Sequence, residues 1–240
     1  MAIFRNDVTV LGVVTKNKFF QKKSVTRLVL DVPFTKRDGE KGSHSIEIDM
    51  KGDRANEAKS VEVGETVFAK AIMVKAKCSP DGVDGSRYVM RLQLDDYKGF
   101  RRIPGAVQEG FIEVVLAGRV MKTPELRSSG DKQFCFLETV FNRPGASDEK
   151  GTFIDVGVFG ASAEKFVTKY IKEGDFVLVE GSLAPRKEDF KIKGLEVWGL
   201  RLNSAPFAGV QSVTPIKGSG GGGGGVAAAD PDIYDDDLPF

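Results

Sequence analysis

The sequence predicts an all-β protein built from two tandem five-stranded Greek-key barrels, each with one short helix, followed by a disordered C-terminal tail. Short β-rich runs separated by glycine and polar loops fill residues 6–100 and 111–203. Both stretches show the same order of apolar runs and glycines. Six consecutive glycines at 220–225 introduce a segment with too little apolar surface to offset its ordering entropy.

The repeat determines the domain organisation that we expect. Three glycine pairs mark corresponding positions: Gly12 and Gly118, Gly52 and Gly160, and Gly64 and Gly174. A chance match would not keep the offset nearly constant over this length. We therefore expect a first domain over 1–100, a linker over 101–110, a second domain over 111–206, a flexible linker over 207–234 and a tip over 235–240.

The second copy shows its elements most clearly. Alternating apolar and polar residues predict strands over 112–120, 134–141, 153–159, 176–181 and 195–202. In the third strand, Ile154, Val156 and Val158 share the face that we expect to form the core. Apolar residues then recur at helical spacing, namely Ala163, Phe166, Val167, Tyr170 and Ile171. We expect Ser162 to cap this helix and Gly174 to adopt a left-handed conformation beyond it.

Three strands, one helix and two further strands form the order of an OB barrel. Several stretches of the second copy also resemble the core of bacterial single-stranded DNA-binding proteins. They are residues 117–120, 123–127, 159–160, 169–175 and 179–183. The first copy resembles this family less, mainly through residues 6–14 and its spacing. The resemblance implies single-stranded DNA binding, a function that the barrel fold alone would not imply.

The last six residues carry a second resemblance to the same family. An acidic run precedes an aliphatic residue, a proline and an aromatic ring: Asp235, Asp236, Asp237, Leu238, Pro239 and Phe240. A ring beside a terminal carboxylate is suited to capture by another protein. The resemblance implies that this tip recruits replication and repair enzymes. The alternative is a solubilising acidic tail, which explains the aspartates but not the final three residues.

Charge is distributed unevenly along the chain. All 35 lysines and arginines lie at or before Lys217, whereas five of the 34 acidic residues follow it. The body therefore carries 35 positive charges against 29 negative ones, and the tail is acidic. This asymmetry favours a body that binds a polyanion and a tail that competes weakly for the same groove.

Sequence-independent binding of single strands requires flat rings for the bases and cations for the backbone. Alternation in the third strand of the second copy directs Phe153 and Phe159 outward. Both fall where the resembling family has base-stacking aromatic residues. The alternative is that they cover a dimer interface or lie beneath a loop. Further stacking candidates in this copy are Phe141, Phe190 and Trp198.

Basic residues accompany these rings along the second copy and are candidates for contacts with phosphates. They are Arg119, Lys122, Arg127, Lys132, Arg143, Arg186 and Lys187. Arg127 follows a Thr-Pro-Glu-Leu sequence as an arginine does in the family motif. The alternative for each is an ordinary solvated surface charge.

The first copy differs at the corresponding positions. If Ile46, Ile48 and Met50 face inward, the outward positions hold Ser45, Glu47, Asp49 and Lys51, which include no ring. A basic-aromatic loop over 16–23 supplies Phe19 and Phe20 instead, and Phe34 is placed as the equivalent of Phe141. We therefore expect the second copy to carry most of the base stacking, and the first to contribute electrostatics, a dimer contact or both.

Several functional classes find no support in the sequence. One histidine, His44, and no nucleophile motif argue against an enzyme, and no cofactor, small-molecule substrate or metal site is expected. Cys78 and Cys135 lack metal-ligand spacing and do not indicate a disulfide framework. No apolar run is long enough to span a membrane, and the N-terminus resembles no signal peptide. We expect a cytoplasmic, nucleoid-associated protein.

The sequence thus predicts a protein that binds and protects single-stranded DNA in replication, recombination and repair. Relatives with one barrel per chain form tetramers, so the resemblance implies a homodimer with four barrels. Two alternatives stay open: an RNA-binding or strand-annealing protein on the same scaffold, and an adaptor whose barrels bind proteins.

Overall fold

The computed structural model describes residues 5–36, 38–78, 87–94, 99–141, 152–190, 195–204 and 213–215. For the strand residues 184–190, 195–204 and 213–215 it describes the backbone only. The chain forms two compact units. One comprises Asp7–Val114 with Leu183–Arg201, and the other is centred on Val115–Ser182.

The first barrel contains five strands that close on themselves, and a sixth strand pairs with β4. The elements are β1 (Arg5–Phe20), β2 (Val25–Thr35), β3 (Lys41–Lys51), α1 (Gly52–Ala58), β4 (Thr66–Cys78), β5 (Arg87–Leu94) and β6 (Phe100–Ile103). Neighbours around the barrel follow the order β1-β2-β3-β5-β4, and β4 pairs with β1 again. Only the β3–β5 pair in this ring is parallel. This is the OB topology that the order of elements predicted.

The second barrel repeats the arrangement. Its elements are β7 (Phe111–Val120), β8 (Arg127–Ser129), β9 (Lys132–Phe141), β10 (Thr152–Phe159), α2 (a π-helical turn, Ser162–Val167, with the α-helical turn Thr168–Tyr170), β11 (Phe176–Phe190), β12 (Leu195–Ser204) and β13 (Val213–Pro215). Neighbours follow the order β7-β9-β10-β12-β11, and β11 pairs with β7 to close the ring. The β10–β12 pair is parallel, as β3–β5 is in the first barrel.

Alternation places one side of β3 and one side of β10 in a core. In the first barrel Ile46, Ile48 and Met50 are fully buried, and in the second Ile154, Val156 and Val158 are at most 2% exposed. Both inward sets were predicted from the pattern of β3 and β10. Because successive side chains of a strand point to opposite faces, the intervening residues must point away from the core.

The same turn closes both barrels, which confirms the internal repeat in atomic detail. In the first, the Gly64 amide donates to the Val14 carbonyl and the Val14 amide donates to the Glu65 carbonyl, both at 2.8 Å. In the second, the Gly174 amide donates to the Val120 carbonyl and the Val120 amide donates to the Asp175 carbonyl, again both at 2.8 Å. Gly64 and Gly174 have φ of +94° and +88°, a region that strongly favours glycine.

The structure corrects the predicted equivalence of Phe34 and Phe141. Ile46 pairs with Leu30 across β3 and β2, whereas Ile154 pairs with Thr139 across β10 and β9. Leu30 therefore corresponds to Thr139. The residue two positions later is Val32 in the first barrel and Phe141 in the second, so Val32, and not Phe34, is the counterpart of Phe141. The contacts of the corresponding glycines Gly12 and Gly118 agree with this assignment. A Cβ added to Gly12 would meet Val32, and a Cβ added to Gly118 would meet Phe141.

The helix of the second domain also differs from its prediction. Ala163, Val167 and Ile171 are buried, but Phe166 is only half-buried and Tyr170 is 54% exposed. The apolar stripe is therefore narrower than expected. Ser162 makes no capping hydrogen bond, because the backbone is already helical at the preceding residue, Ala161. Gly174, as predicted, has a positive φ.

Three short strands and one long one were not predicted. The strands β6, β8 and β13 have no periodic signal of their own, and β11 runs to Phe190 where the pattern indicated an end at 181. Since β6 pairs with β4 along Phe100–Ile103, the expected linker 101–110 begins inside a strand. The expected flexible linker over 207–234 contains the strand β13, which pairs with β11, so that part of the prediction is wrong. The tip over 235–240 lies outside the described residues.

Candidate nucleic-acid interface

The outward side of the second barrel presents a continuous surface across β9 and β10, which we call the platform face. Four cross-strand pairs form its rows: Phe153 with Val140, Asp155 with Glu138, Gly157 with Phe136, and Phe159 with Phe134. The residues between them, such as Leu137 and Val156, are fully buried in the core. The alternation that fills the core therefore fixes the composition of the platform face.

Phe153 is 51% exposed, as expected for an outward residue of β10. Phe159 is half-buried, and its ring centroid lies 6.3 Å from that of Phe134. Phe134 in turn lies 5.5 Å from Phe136 in an edge-to-face arrangement. Phe159 thus belongs to a cluster of three rings, whereas Phe153 stands apart from it on the same strand.

Phe134 and Phe136 were not predicted as site residues, although they flank the buried Cys135. Their signal was present in the sequence, since they share outward parity with Glu138 on β9. Gly157 lies directly opposite Phe136, so β10 presents no side chain to that ring from the paired position. The platform face therefore offers four rings instead of two.

Cations border both ends of the platform face. The Arg127 guanidinium carbon lies 5.7 Å from the Phe136 centroid, within cation–π range. Arg119 pairs with Val140 in the row of Phe153, and its guanidinium carbon lies 5.5 Å from the Phe176 centroid. Both arginines are exposed.

The other predicted cations of this domain have less defined positions. Lys122 is exposed and forms an ion pair of 3.4 Å with Glu125. Lys132 is exposed at the start of β9, opposite Ser129. Arg143 lies outside the described residues. The side chains of Arg186, Lys187, Phe190 and Trp198 also lie outside them, although their backbone belongs to β11 and β12.

Phe141 is not a stacking residue, which corrects its prediction. It is 1% exposed, and its ring packs against Gly118, where an added Cβ would lie 2.6 Å from Phe141 Cδ1. The last residue of β9 shares the inward parity of Leu137 and Thr139. The ring therefore fills the core and cannot contact a bound base.

The corresponding face of the first barrel carries charges in place of rings. Arg27 donates to both carboxylate oxygens of Asp49, at 2.6 and 2.9 Å, and lies 3.3 Å from Glu47. Arg91 also binds Glu47. With Ser45 and Lys51 at the remaining outward positions of β3, this strand provides no platform. The outward positions of β3 therefore carry no ring.

The β1–β2 hairpin of the first barrel instead combines rings with lysines. Phe19 is 36% exposed, and the Lys59 ammonium nitrogen lies 3.5 Å from its ring centroid. Phe20 is half-buried, with the Lys18 nitrogen 5.0 Å and the Arg27 guanidinium carbon 5.3 Å from its centroid. Further exposed lysines of the hairpin are Lys16, Lys22 and Lys23.

A side-chain amide attaches this hairpin to the body of its domain. Asn17 Nδ2 donates to the carbonyls of Ala58, at 2.9 Å, and Val61, at 2.7 Å.

Phe34 is not part of this cluster. The Phe34 ring stacks on His44 at a centroid distance of 4.6 Å and covers Gly42. Both contacts are with residues of its own domain.

Burial shifts the pKa of one thiol and of the histidine in the described part of the chain. Burial raises the pKa of the Cys135 thiol to about 12, so it remains protonated at neutral pH. Burial also lowers the pKa of His44, an effect that Asp31 opposes. In the described part of the chain, no three acidic, histidine or cysteine residues are grouped to hold a metal ion. No helix among the described residues has the length and apolarity needed to cross a bilayer.

The topology and the ring-bearing face define a tandem OB-fold protein whose second barrel has the features of a nucleic-acid platform. Residues 111–194 match the single-strand binding protein family. The match covers 84 of the 240 residues, most of the second domain. No curated protein sequence matches the chain significantly.

Solved structures show the same two-barrel fold over nearly the full chain. The wild-type single-stranded DNA binding protein of Thermus aquaticus matches with a TM-score of 0.64, covering 93% of this chain and 98% of that one at 17% identity. A deletion mutant of the same protein matches with a TM-score of 0.67, covering 92% and 98% at 17% identity.

The ion pairs of the first barrel generate a stability prediction. Arg27→Ala removes the bidentate partner of Asp49, and we expect the free energy of unfolding to fall by about 1–3 kcal/mol because half-buried carboxylates lose their hydrogen bonds. Arg54→Ala is the matched control, since its pair with Glu57 is more exposed and contributes about 0–1 kcal/mol. Urea unfolding measures both. Equal losses in the two variants would contradict a structural role for the network.

Proposed function

We propose that the protein binds single-stranded DNA independently of sequence, with the platform face as its main stacking surface. The observation that carries this proposal is the exposed Phe153 on the same strand as Phe159 of the ring cluster, in the domain that matches the single-strand binding family. Solvent-exposed rings between arginines are costly in a free protein unless a ligand covers them. Bases supply that cover, since each base has a flat apolar face.

The geometry allows several nucleotides to bind at once. Phe153 and Phe159 are six residues apart on β10, which corresponds to about 20 Å along a strand. The two positions therefore stack different bases. Each stacked base contributes roughly 1–3 kcal/mol, and the flanking arginines contribute contacts to phosphates. Such binding weakens as salt rises, because counterions are released from the phosphates.

The first barrel contributes mainly charge in this proposal. Its β3 face is neutralised internally by Arg27 and Arg91, which leaves the lysines of the β1–β2 hairpin as its basic surface. Phe19 and Phe20 are partly covered by the cations around them. We assign this hairpin to backbone contacts, with less stacking than the platform face provides.

Substitution of the rings tests this division. Phe153→Ala with Phe159→Ala removes two stacking surfaces, and we expect affinity for oligo-dT to fall by about tenfold or more. Phe19→Ala with Phe20→Ala should weaken binding less. Tyr170→Ala is the control, because it removes an exposed ring of the same domain outside the platform face.

Fluorescence titrations of the three variants give the ranking. A larger loss from the Phe19 and Phe20 pair than from the Phe153 and Phe159 pair would overturn the division of labour. No binding of oligo-dT by the unaltered protein would overturn the proposed function and favour a protein-binding adaptor. Tighter binding of matched oligo-U would favour the RNA-binding alternative.

We further propose that the protein acts in DNA replication, recombination and repair in the cytoplasm, associated with the nucleoid, and that its tip recruits partner enzymes. The support is the acidic run before Leu238, Pro239 and Phe240 and its resemblance to the family motif. Acidic residues steer an approach to a basic partner surface, and the ring fills an apolar pocket.

Deletion of the residues after Lys217 tests the tail. We expect oligo-dT affinity to be equal or higher without it, because the tail carries five acidic residues and no lysine or arginine. Capture of replication and repair enzymes should be lost, and Phe240→Ala should reproduce that loss without altering DNA affinity. Abolished DNA binding in the truncated protein would assign the tail a different role.

The oligomeric state follows from the number of barrels. We propose a homodimer, because relatives of this family with one barrel per chain assemble four barrels. Multi-angle light scattering at working concentration should then give twice the chain mass of 26.1 kDa. A strict monomer under those conditions would exclude the dimer and leave the DNA-binding proposal intact.

A further inference from the structure

The β1–β2 hairpin of the first barrel extends beyond the strand that closes the ring. The pairing of β1 with β4 ends at Val13, whereas its pairing with β2 continues to Phe20. A two-stranded hairpin has little stability of its own in water. Contacts with the rest of the domain must therefore hold this hairpin in place.

The side chain of Asn17 makes polar contacts that attach the hairpin to α1. Its amide nitrogen donates to the carbonyls of Ala58, Val61 and, at 3.4 Å, Lys59. Ala58 and Val61 are at most 3% exposed. An asparagine amide has two N–H donors, so the two shorter bonds form at the same time. One side chain thus connects β1 to the end of α1.

The ring of Phe19 is held on the same side. Asn17 and Phe19 are two residues apart on β1, so their side chains lie on one side of the strand. The Lys59 ammonium nitrogen lies over the Phe19 ring and also donates to Asn56 Oδ1 at 2.9 Å. The Asn17 side of the hairpin therefore faces the C-terminal turn of α1.

The opposite side of the hairpin presents cations. Lys16 and Lys18 flank Asn17 along β1, and both lysines are exposed. The pairing register is regular from Lys16 to Phe20, so the alternation holds throughout this stretch. Lys18 is paired with Arg27 on β2, whose side chain belongs to the ion-pair network of the outward face. Attachment through Asn17 therefore fixes the side of the domain on which the two lysines lie.

The second barrel has a different contact at the equivalent position. Val14 and Val120 correspond, since both bond to the turn that closes their barrel. Three positions later, the first barrel has Asn17 and the second has Thr123. Thr123 Oγ1 accepts a hydrogen bond of 3.1 Å from the Glu173 amide. Because β7 ends at Val120 whereas β1 continues to the hairpin, the amide with two donors occurs where a projecting hairpin follows.

We propose that Asn17 is the positioning residue of this hairpin: it attaches one side to α1, so that Lys16 and Lys18 on the other side contact the phosphates of bound DNA. This inference rests on the proposed function and deepens it, since it assigns the contacts of the first barrel with the DNA backbone to two lysines and to the residue that holds them. A hairpin without this attachment would have to be ordered on binding, and the entropy lost would reduce affinity.

Salt titrations with oligo-dT and the full-length protein test the inference. For a single strand, each phosphate contact contributes about 0.7 to the slope of log affinity against log salt. We expect Asn17→Ala to weaken binding about three- to tenfold at low salt and to reduce the slope by about 0.7, because the loosened hairpin keeps part of its contacts. Lys16→Gln with Lys18→Gln removes both contacts and should reduce the slope by about 1.4.

Two further variants complete the experiment. Thr15→Ala is the matched control, because it removes a hydrogen bond of 3.2 Å to the Val29 carbonyl, within the hairpin, and leaves the attachment to α1 intact. It should leave the slope unchanged. Adding Asn17→Ala to the lysine pair should cause no further loss of affinity, since residues that act through one another are not additive.

The outcomes separate positioning from stability. An unaltered slope in Asn17→Ala would overturn the inference even if thermal unfolding showed a lower stability, because a purely structural role changes stability alone. An unaltered slope in the lysine pair would overturn it independently of how Asn17→Ala folds. Additive losses in the combined variant would also contradict it. Failure of the unaltered protein to bind oligo-dT would instead overturn the proposed function.

Discussion

Closure of a five-stranded sheet is the constraint on which each domain depends. Once β4 pairs with β1, or β11 with β7, the strands have no free edges in the ring and one side of every strand must face the interior. The turn that carries Gly64 or Gly174 bonds to the end of the first strand of its barrel and fixes the start of the closing strand. Which side chains face the outside of the barrel is then determined by the alternation of residues along each strand.

This constraint lets the two outward faces diverge while both barrels keep the same interior. The inward residues of β3 and β10 are apolar in both copies, but Glu47 and Asp49 occupy the outward positions that Asp155 and Gly157 occupy in the second. In the first barrel, Arg27 and Arg91 satisfy the carboxylates within the domain. In the second barrel, the outward groups are rings and the carboxylates of Glu138 and Asp155, which have no ion pair or hydrogen bond among the described residues. Polar groups that already have partners within the protein are less available to a ligand than groups that have none.

The fold was predictable because its signals are local. Period-two alternation located the barrel strands, and paired glycines located the turns, since only glycine readily adopts the φ found at Gly64 and Gly174. The equivalence of Phe34 was not predictable in the same way. A shift of two residues in a hairpin leaves every side chain on the same face of the strand, so the hydrophobic pattern cannot detect it. Only the pairing register between the strands does. The rings of Phe134 and Phe136 were missed for a different reason: an alternating strand was interpreted by its buried side alone.

A polyanion-binding surface that contains carboxylates appears contradictory only if phosphates are taken as its main ligands. In the proposed complex, rings fix the orientation of the DNA strand, because stacking directs the bases toward the sheet and the phosphates toward its margins. Arg119 and Arg127 are at those margins, and Glu138 and Asp155 are in the interior of the face. Opposite charges at the margin and in the interior therefore reinforce one orientation. Having such a face on β10 but not on β3 also limits the exposed apolar area that the free protein must tolerate.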